Sequence, residues 1–280
     1  MEKYIAQTAS KKWLGIGLVF VVAIIALLIW NKQKQNHSSE LVIGISPSFA
    51  HPLQVAADEA KQQGLNVKLV EFSDWNTPNI TLNHGDIDAN FFQHQPFLDN
   101  AIKETGFKLK SFAAGAASHV GLYSKKYKSF DELPNGATVA IPNDPVNQGR
   151  ALLLFQQAKL IELKDSNNHL SALKDISANP KNLKFTEVEG PQTARAIDDV
   201  DLAFGYPHYL RLAKTADPES ALLFDDNTNK RYAILFVVRD DYQDKDSKLQ
   251  KFVEIYQNSP KVKAALDNDF GPTLWFPGWK

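Results

Sequence analysis

Residues 41–106 read LVIGISPSFAHPLQVAADEAKQQGLNVKLVEFSDWNTPNITLNHGDIDANFFQHQPFLDNAIKETG. The opening LVIGI is an apolar run of strand length. From 49 to 63 the apolar residues recur at helical spacing and stop at Gly64. The pattern then repeats. A strand is predicted over 67–72, a helix over 78–84 stopped by Gly85, a strand over 87–92, and a helix over 96–105 stopped by Gly106. Strands alternating with helices in this order imply a parallel sheet covered by helices.

A second alternating set follows. Strands are predicted over 120–123, 138–141, 183–187 and 201–204, with a helix over 145–159. A strong strand over 232–239 precedes two helices near 247–257 and 260–267. Two α/β units joined by more than one crossing are expected, with the last segment returning to the first. Ligands of such folds bind at the carboxyl ends of strands and in clefts between domains. The aromatic tail, Phe270 to Trp279, is expected to be a strap packed on the first unit.

The 280 residues are 44% hydrophobic and 22% charged, ordinary for a globular chain, and the net charge is −1. Basic residues form no stripe interleaved with aromatics, which argues against nucleic acid as a partner. There is no cysteine, hence no disulfide, no thiolate site and no lipid-modified Cys. Serine-hydrolase, zinc-protease and nucleotide-loop motifs are lacking, so no enzyme activity is expected. A membrane-anchored hydrolase is the least favoured reading. His84, Asp86 and Asp88 fall across a predicted turn, so neither a metal nor another cofactor is expected.

Upstream, 13–30 reads WLGIGLVFVVAIIALLIW, with no charge and no proline. As a helix it would reach roughly 27 Å, near the thickness of a bilayer core. It has a Trp at each end and lacks a small-residue cleavage pair, so an uncleaved anchor is expected, body outward. The polar 31–40 then serves as a flexible tether.

The sharpest site signal is Ile141 to Leu154, IPNDPVNQGRALLL. A strand ends at Ile141, Asn143 or Asp144 caps a helix, and Pro145 suits its first position. Asn147 and Arg150 then share one helix face. Gly149 would let a ligand approach the backbone. Free N–H groups at the helix start, with a guanidinium and an amide, make a receptor for a carboxylate or sulfonate. The competing reading pairs Arg150 with a structural carboxylate. On the strand before Phe97, Asn90, Phe92 and His94 share one face.

These segments, with GDIDANFFQHQPFLD (85–99), LYSKKYKSFDELPNGATVAIPNDPVNQGRALLL (122–154), NPKNLKFTEVEGPQTAR (179–195) and VVRDD (237–241), resemble the methionine-binding lipoprotein (NlpA/MetQ) family of substrate-binding proteins. The resemblance implies an α/β, two-lobed periplasmic-binding-protein fold, here expected to be preceded by one N-terminal transmembrane helix. It implies an ABC importer's extracytoplasmic solute-binding component that closes on a small anionic ligand. The ABC permease and its ATPase would be its partners, along with the membrane through the N-terminal helix. It would be a single-pass protein of the cell membrane with a periplasmic body. A binding module serving a sensor or a surface is the alternative. The expected layout is a cytoplasmic tail at 1–12, the anchor at 13–30, the tether at 31–40, lobe 1 at 41–115, lobe 2 at 116–225, and a return to lobe 1 at 226–280.

By motif position Trp75 matches the family's aromatic wall, and Phe92, His94 and Phe97 match its next contacts. Asn147 and Arg150 match the pair that holds the ligand carboxylate. Two family asparagines are replaced, one by Tyr206 and one by Ile234. Their amides help to recognise an α-amino acid head group, and without them a buried ammonium loses partners. The ligand is therefore expected to be a small anion with an apolar or sulfur-containing body, methionine itself being disfavoured. Tyr206 is placed at the cleft ahead of His208.

Overall fold

A computed structural model describes residues 40–225 and 230–280. Strands β1 (Leu41–Ile45), β2 (Val67–Glu71), β3 (Ala89–His94), β4 (Leu109–Ala114) and β13 (Ile234–Arg239) form one sheet, ordered β2-β1-β3-β13-β4. β1 runs parallel to β2 and β3, while β13 is antiparallel to β3 and β4. A second sheet holds β6 (Gly121–Tyr123), β7 (Thr138–Pro142), β10 (Lys184–Val188), β11 (Leu202–Gly205) and β12 (Leu223–Phe224), ordered β10-β7-β11-β6-β12. Here β6 is the antiparallel strand, set between β11 and β12. Each lobe thus inserts one antiparallel strand at the same place. In one lobe that strand comes late in the chain and in the other early, so the chain crosses between lobes twice.

Two short pairs complete the strands: β5 (Ala116–Ser118) with β14 (Trp275–Pro277), and β8 (Glu162–Leu163) with β9 (Ile176–Ala178). The helices are α1 (Ala50–Gln62), α2 (Thr77–His84), α3 (Gln95–Thr105), α4 (Pro145–Gln157), α5 (Thr193–Ala196), α6 (Pro207–Ala213), α7 (Lys248–Asn258) and α8 (Pro260–Phe270).

The predicted helix stops act as expected. α2 and α3 end on Gly85 and Gly106, whose φ values of 86° and 72° are left-handed and open to glycine without strain. Asp74 holds the start of α2 by accepting from the backbone N–H groups of Asn76 and Thr77 at 2.8 and 2.7 Å. Ile43, Ile45, Phe91 and Phe236 are fully buried in the first core, where β13, α7 and α8 pack with β1 and α1. Each such side chain contributes about 1.5–3 kcal/mol. A separate core around Val139, Leu152, Phe155 and Phe204 holds the second lobe. The tail forms β14 against β5 and sets Trp279 beside Tyr256 with ring centroids 5.9 Å apart, so it straps the first lobe where the chain first crosses.

The membrane expectation is corrected. Among the described residues no helix is long and apolar enough to cross a membrane, and the anchor expected at 13–30 lies outside those residues. The longest described helices, α1 and α4, have 13 residues, about 20 Å of rise against the roughly 30 Å of a bilayer core. The fold class is therefore two-lobed α/β, with no transmembrane helix among the described residues. The membrane as a partner and the single-pass location do not stand.

Candidate functional site

Between the lobes lies a cavity with about 490 Å³ of space around its lining atoms, open solvent at its mouth included. All seven residues singled out in the sequence line it: Trp75, Phe92, His94 and Phe97 from the first lobe, and Asn147, Arg150 and Tyr206 from the second. Both segments deliver their side chains from strand ends, where β3 passes into α3 and β7 into α4. Trp75 sits edge-on to Phe97 and Tyr206 at 6.2 and 5.6 Å, and Phe92 is edge-on to Phe97 at 5.8 Å. These rings present apolar faces to a ligand body.

The polar groups hold one another in a definite order. His94 caps α3: its Nδ1 accepts from the N–H of Phe97 at 3.3 Å. The Nε2–H therefore donates to Asn147 Oδ1, 3.1 Å away across the cleft. Asn147 in turn donates through Nδ2 and its backbone N–H to Asp144, the residue that caps α4. The helix start expected to receive an anion is thus already occupied by the Asp144 carboxylate. Asn147 is committed on both sides and fastens one lobe to the other.

Arg150 departs further from expectation. Its Nη2 donates to Asp225 Oδ2 at 2.7 Å, and its guanidinium carbon lies 4.0 Å from the Tyr232 ring centroid. The structural carboxylate of the competing reading therefore exists. It takes only one side of the fork, because Arg150 Nε is buried without a hydrogen-bond partner. The buried Tyr206 hydroxyl also has no partner, and burial raises its pKa well above 10, which keeps its proton in place as a donor. Two unsatisfied donors in one apolar-walled cavity are costly unless something brings an acceptor.

A model of the family described as NlpA lipoprotein matches residues 41–279, the whole two-lobed body. The chain belongs to the NlpA lipoprotein family. Among its relatives, the D-methionine-binding lipoprotein MetQ of Salmonella typhi is 41% identical over 261 residues, 91% of this chain and 94% of the relative. The crystal structure of a methionine-binding protein, MetQ, superposes with a TM-score of 0.80 at 39% identity, over 86% of this chain and 99% of that one. A periplasmic substrate-binding protein of an ABC transporter from Coxiella burnetii superposes with a TM-score of 0.76 at 37% identity, over 85% and 99%.

Several lining residues of this NlpA-family chain escaped the sequence reading. Tyr209 accepts from Trp75 Nε1 at 3.1 Å and shares a hydrogen bond with Ser46, so it joins the lobes. His208, ranked behind Tyr206, lines the cavity as well and stacks on Phe270 at 4.7 Å. Tyr232, which lines the cavity, and Asp225, which holds Arg150 without lining it, come from the second crossing, which carries no motif. The cluster of histidine and tyrosine at 206–209 was the available signal.

Gly149 also has a different cause. A Cβ there would lie 2.1 Å from the carbonyl oxygen of His169, so the missing side chain admits a loop of the same lobe and not a ligand. Gly149→Ala is expected to cost about 1–3 kcal/mol of stability in chemical denaturation. An unchanged midpoint and slope would refute the contact.

His94 and His208 are both pushed down to about 3, first by burial and then by the Arg150 charge. The hydrogen bond from Asp225 raises His119 instead. Unfolded, all three titrate near 6.5. Below that pH the unfolded chain takes up two protons that folded His94 and His208 refuse, so these two lose stability as pH falls. His119 gains stability as pH falls toward 6.5 and holds it constant below, so it does not offset the slope of the other two there. The two refused protons predict a loss of about 2.7 kcal/mol per pH unit from about 6 downward. Urea denaturation at pH 7.5 and pH 5 measures it, and equal stability at both would contradict the assignment.

Proposed function

We propose that the chain is the extracytoplasmic solute-binding component of an ABC importer, and that it carries a small carboxylate with an apolar or sulfur-containing body. The observation that bears the proposal is the pair of unsatisfied buried donors, Arg150 Nε and Tyr206 Oη, in a cavity walled by Trp75, Phe92 and Phe97. A carboxylate supplies the missing acceptors, and the rings take its hydrocarbon or thioether tail. The relatives' names, which speak of methionine and of ABC transport, point to the same ligand class and the same machinery. No bond is broken by this chain, which is a binding protein and not an enzyme. Ligand that touches both lobes favours the closed arrangement, and a permease can then distinguish loaded from unloaded protein.

Calorimetry of the purified full chain against small carboxylates, with mass spectrometry of whatever copurifies, tests this. One carboxylate bound per chain is expected. Failure of every small carboxylate to bind, or turnover of an ester or amide, would remove the proposal.

A further inference from the structure

We infer that Tyr209 is a positioning residue for ligand capture: its hydroxyl fastens Trp75 and Ser46 of the first lobe to the second lobe when the cleft closes, and so slows release of the bound molecule. The inference rests on the reading of the interlobe cavity as the ligand site. Its basis is one buried hydroxyl that joins a wall of the cavity to a residue outside it.

The three side chains meet because of where their strands end. β1 and β2 are adjacent and parallel, so the residues that follow them leave the same edge of the first sheet. Ser46 comes directly after β1, and Trp75 lies in the turn between β2 and α2. In the second lobe β11 ends at Gly205, Pro207 opens α6, and Tyr209 stands in its first turn. The Tyr209 hydroxyl accepts from Trp75 Nε1–H at 3.1 Å and is hydrogen-bonded to Ser46 Oγ, where either hydroxyl can supply the proton. Burial raises the tyrosine's pKa, so the hydroxyl stays neutral and can donate and accept at once. Tyr209 and Ser46 are 6% and 2% exposed. Trp75 lines the cavity and Ser46 does not.

An indole N–H is a donor only, so in the closed form Trp75 relies on the second lobe for its acceptor. With the cleft open, water serves that N–H and both hydroxyls. Closing exchanges the waters for two bonds whose net gain is modest and which exist only in the closed form. A ligand body packed on the Trp75 ring holds the indole where its N–H meets Tyr209. Gly190 of the second lobe crowds the same ring, since a Cβ there would lie 2.0 Å from it. Occupancy of the cavity and the Tyr209 bonds therefore favour each other, and the bonds must break before the ligand leaves. They act on the dissociation rate. The association rate is set by encounter with the open cleft, where these bonds are absent.

The test uses the full chain with L-methionine, D-methionine and 4-(methylthio)butanoate, taking rates from stopped-flow tryptophan fluorescence and affinities from calorimetry. For the tightest binder, Tyr209→Phe is expected to raise the dissociation rate about tenfold and to leave the association rate within about twofold. Ser46→Ala is expected to raise the dissociation rate about threefold, although Ser46 stands outside the cavity. The double variant should release ligand no faster than Tyr209→Phe alone, because Ser46 acts through the same hydroxyl. A dissociation rate unchanged in either single variant, or effects that multiply in the double variant, overturns the inference and leaves the cavity standing as the ligand site. If Tyr209→Phe does not fold, Ser46→Ala decides alone. If the wild type binds none of the three, the carboxylate reading of the cavity fails first, and the inference with it.

Discussion

Arg150→Ala is expected to weaken ligand binding by about 100-fold or more and to cost about 3 kcal/mol of stability. The two effects have separate origins. Arg150 and Asp225 form a pair whose side chains are 8% and 11% exposed, so removing the guanidinium strands a carboxylate in a nearly dry site. The affinity loss comes from the other side of the fork, where Nε would meet the ligand. Asp225→Asn separates these roles. It breaks the ion pair but leaves the guanidinium over Tyr232, with its charge no longer shared. If Arg150 contacts the ligand, Asp225→Asn loses stability yet keeps or improves affinity for a carboxylate. If Arg150 is only a structural partner of Asp225, the two variants weaken binding alike. Arg150→Lys keeps a charge near Asp225 but cannot place a donor at Nε, so it should recover more stability than affinity. Denaturation and calorimetry on the same three variants decide between the roles.

The alternation over 41–106 was legible because each parallel strand is a compact apolar run and each helix stops on a glycine that must turn left-handed. β4 was not legible. Its LKSFAA carries two exposed residues, and it lies at the sheet edge against β13, a strand more than a hundred residues later. Asn147 and Arg150 could be placed together because residues three apart on a helix share a face. What they do there could not be read, since their partners are remote. Asp225 lies 75 residues beyond Arg150 and His94 lies 53 before Asn147. The capping residue that fixes α4 is itself a carboxylate, and that removed the helix start as an anion receptor. Local periodicity therefore reached the elements and the direction of their side chains, while the assignment of hydrogen bonds across the cleft needed the assembled fold.

Gly190→Val is expected to lower ligand affinity by about 100-fold while leaving the denaturation midpoint of the unliganded chain close to that of the wild type. Gly190 follows β10 in the second lobe, and a Cβ built there would lie 2.0 Å from the Trp75 ring of the first. The same ring donates to Tyr209 at 3.1 Å and stands edge-on to Tyr206. A side chain at 190 thus collides with the first lobe only when the lobes are closed. Each lobe can fold as before, because its own core of buried strands and helices does not involve position 190. The closed state becomes harder to reach, and any ligand that needs both lobes must supply that difference from its binding energy. Two further measurements make the steric argument specific. Small-angle scattering of wild type with ligand should show a smaller radius of gyration than without, and Gly190→Val should keep the larger value. Adding Trp75→Leu to Gly190→Val should cost less affinity than Trp75→Leu costs alone, since the clash and the lost ring contact share one position in space. Strict additivity of the two substitutions would show that the glycine matters for some reason other than the approach of Trp75.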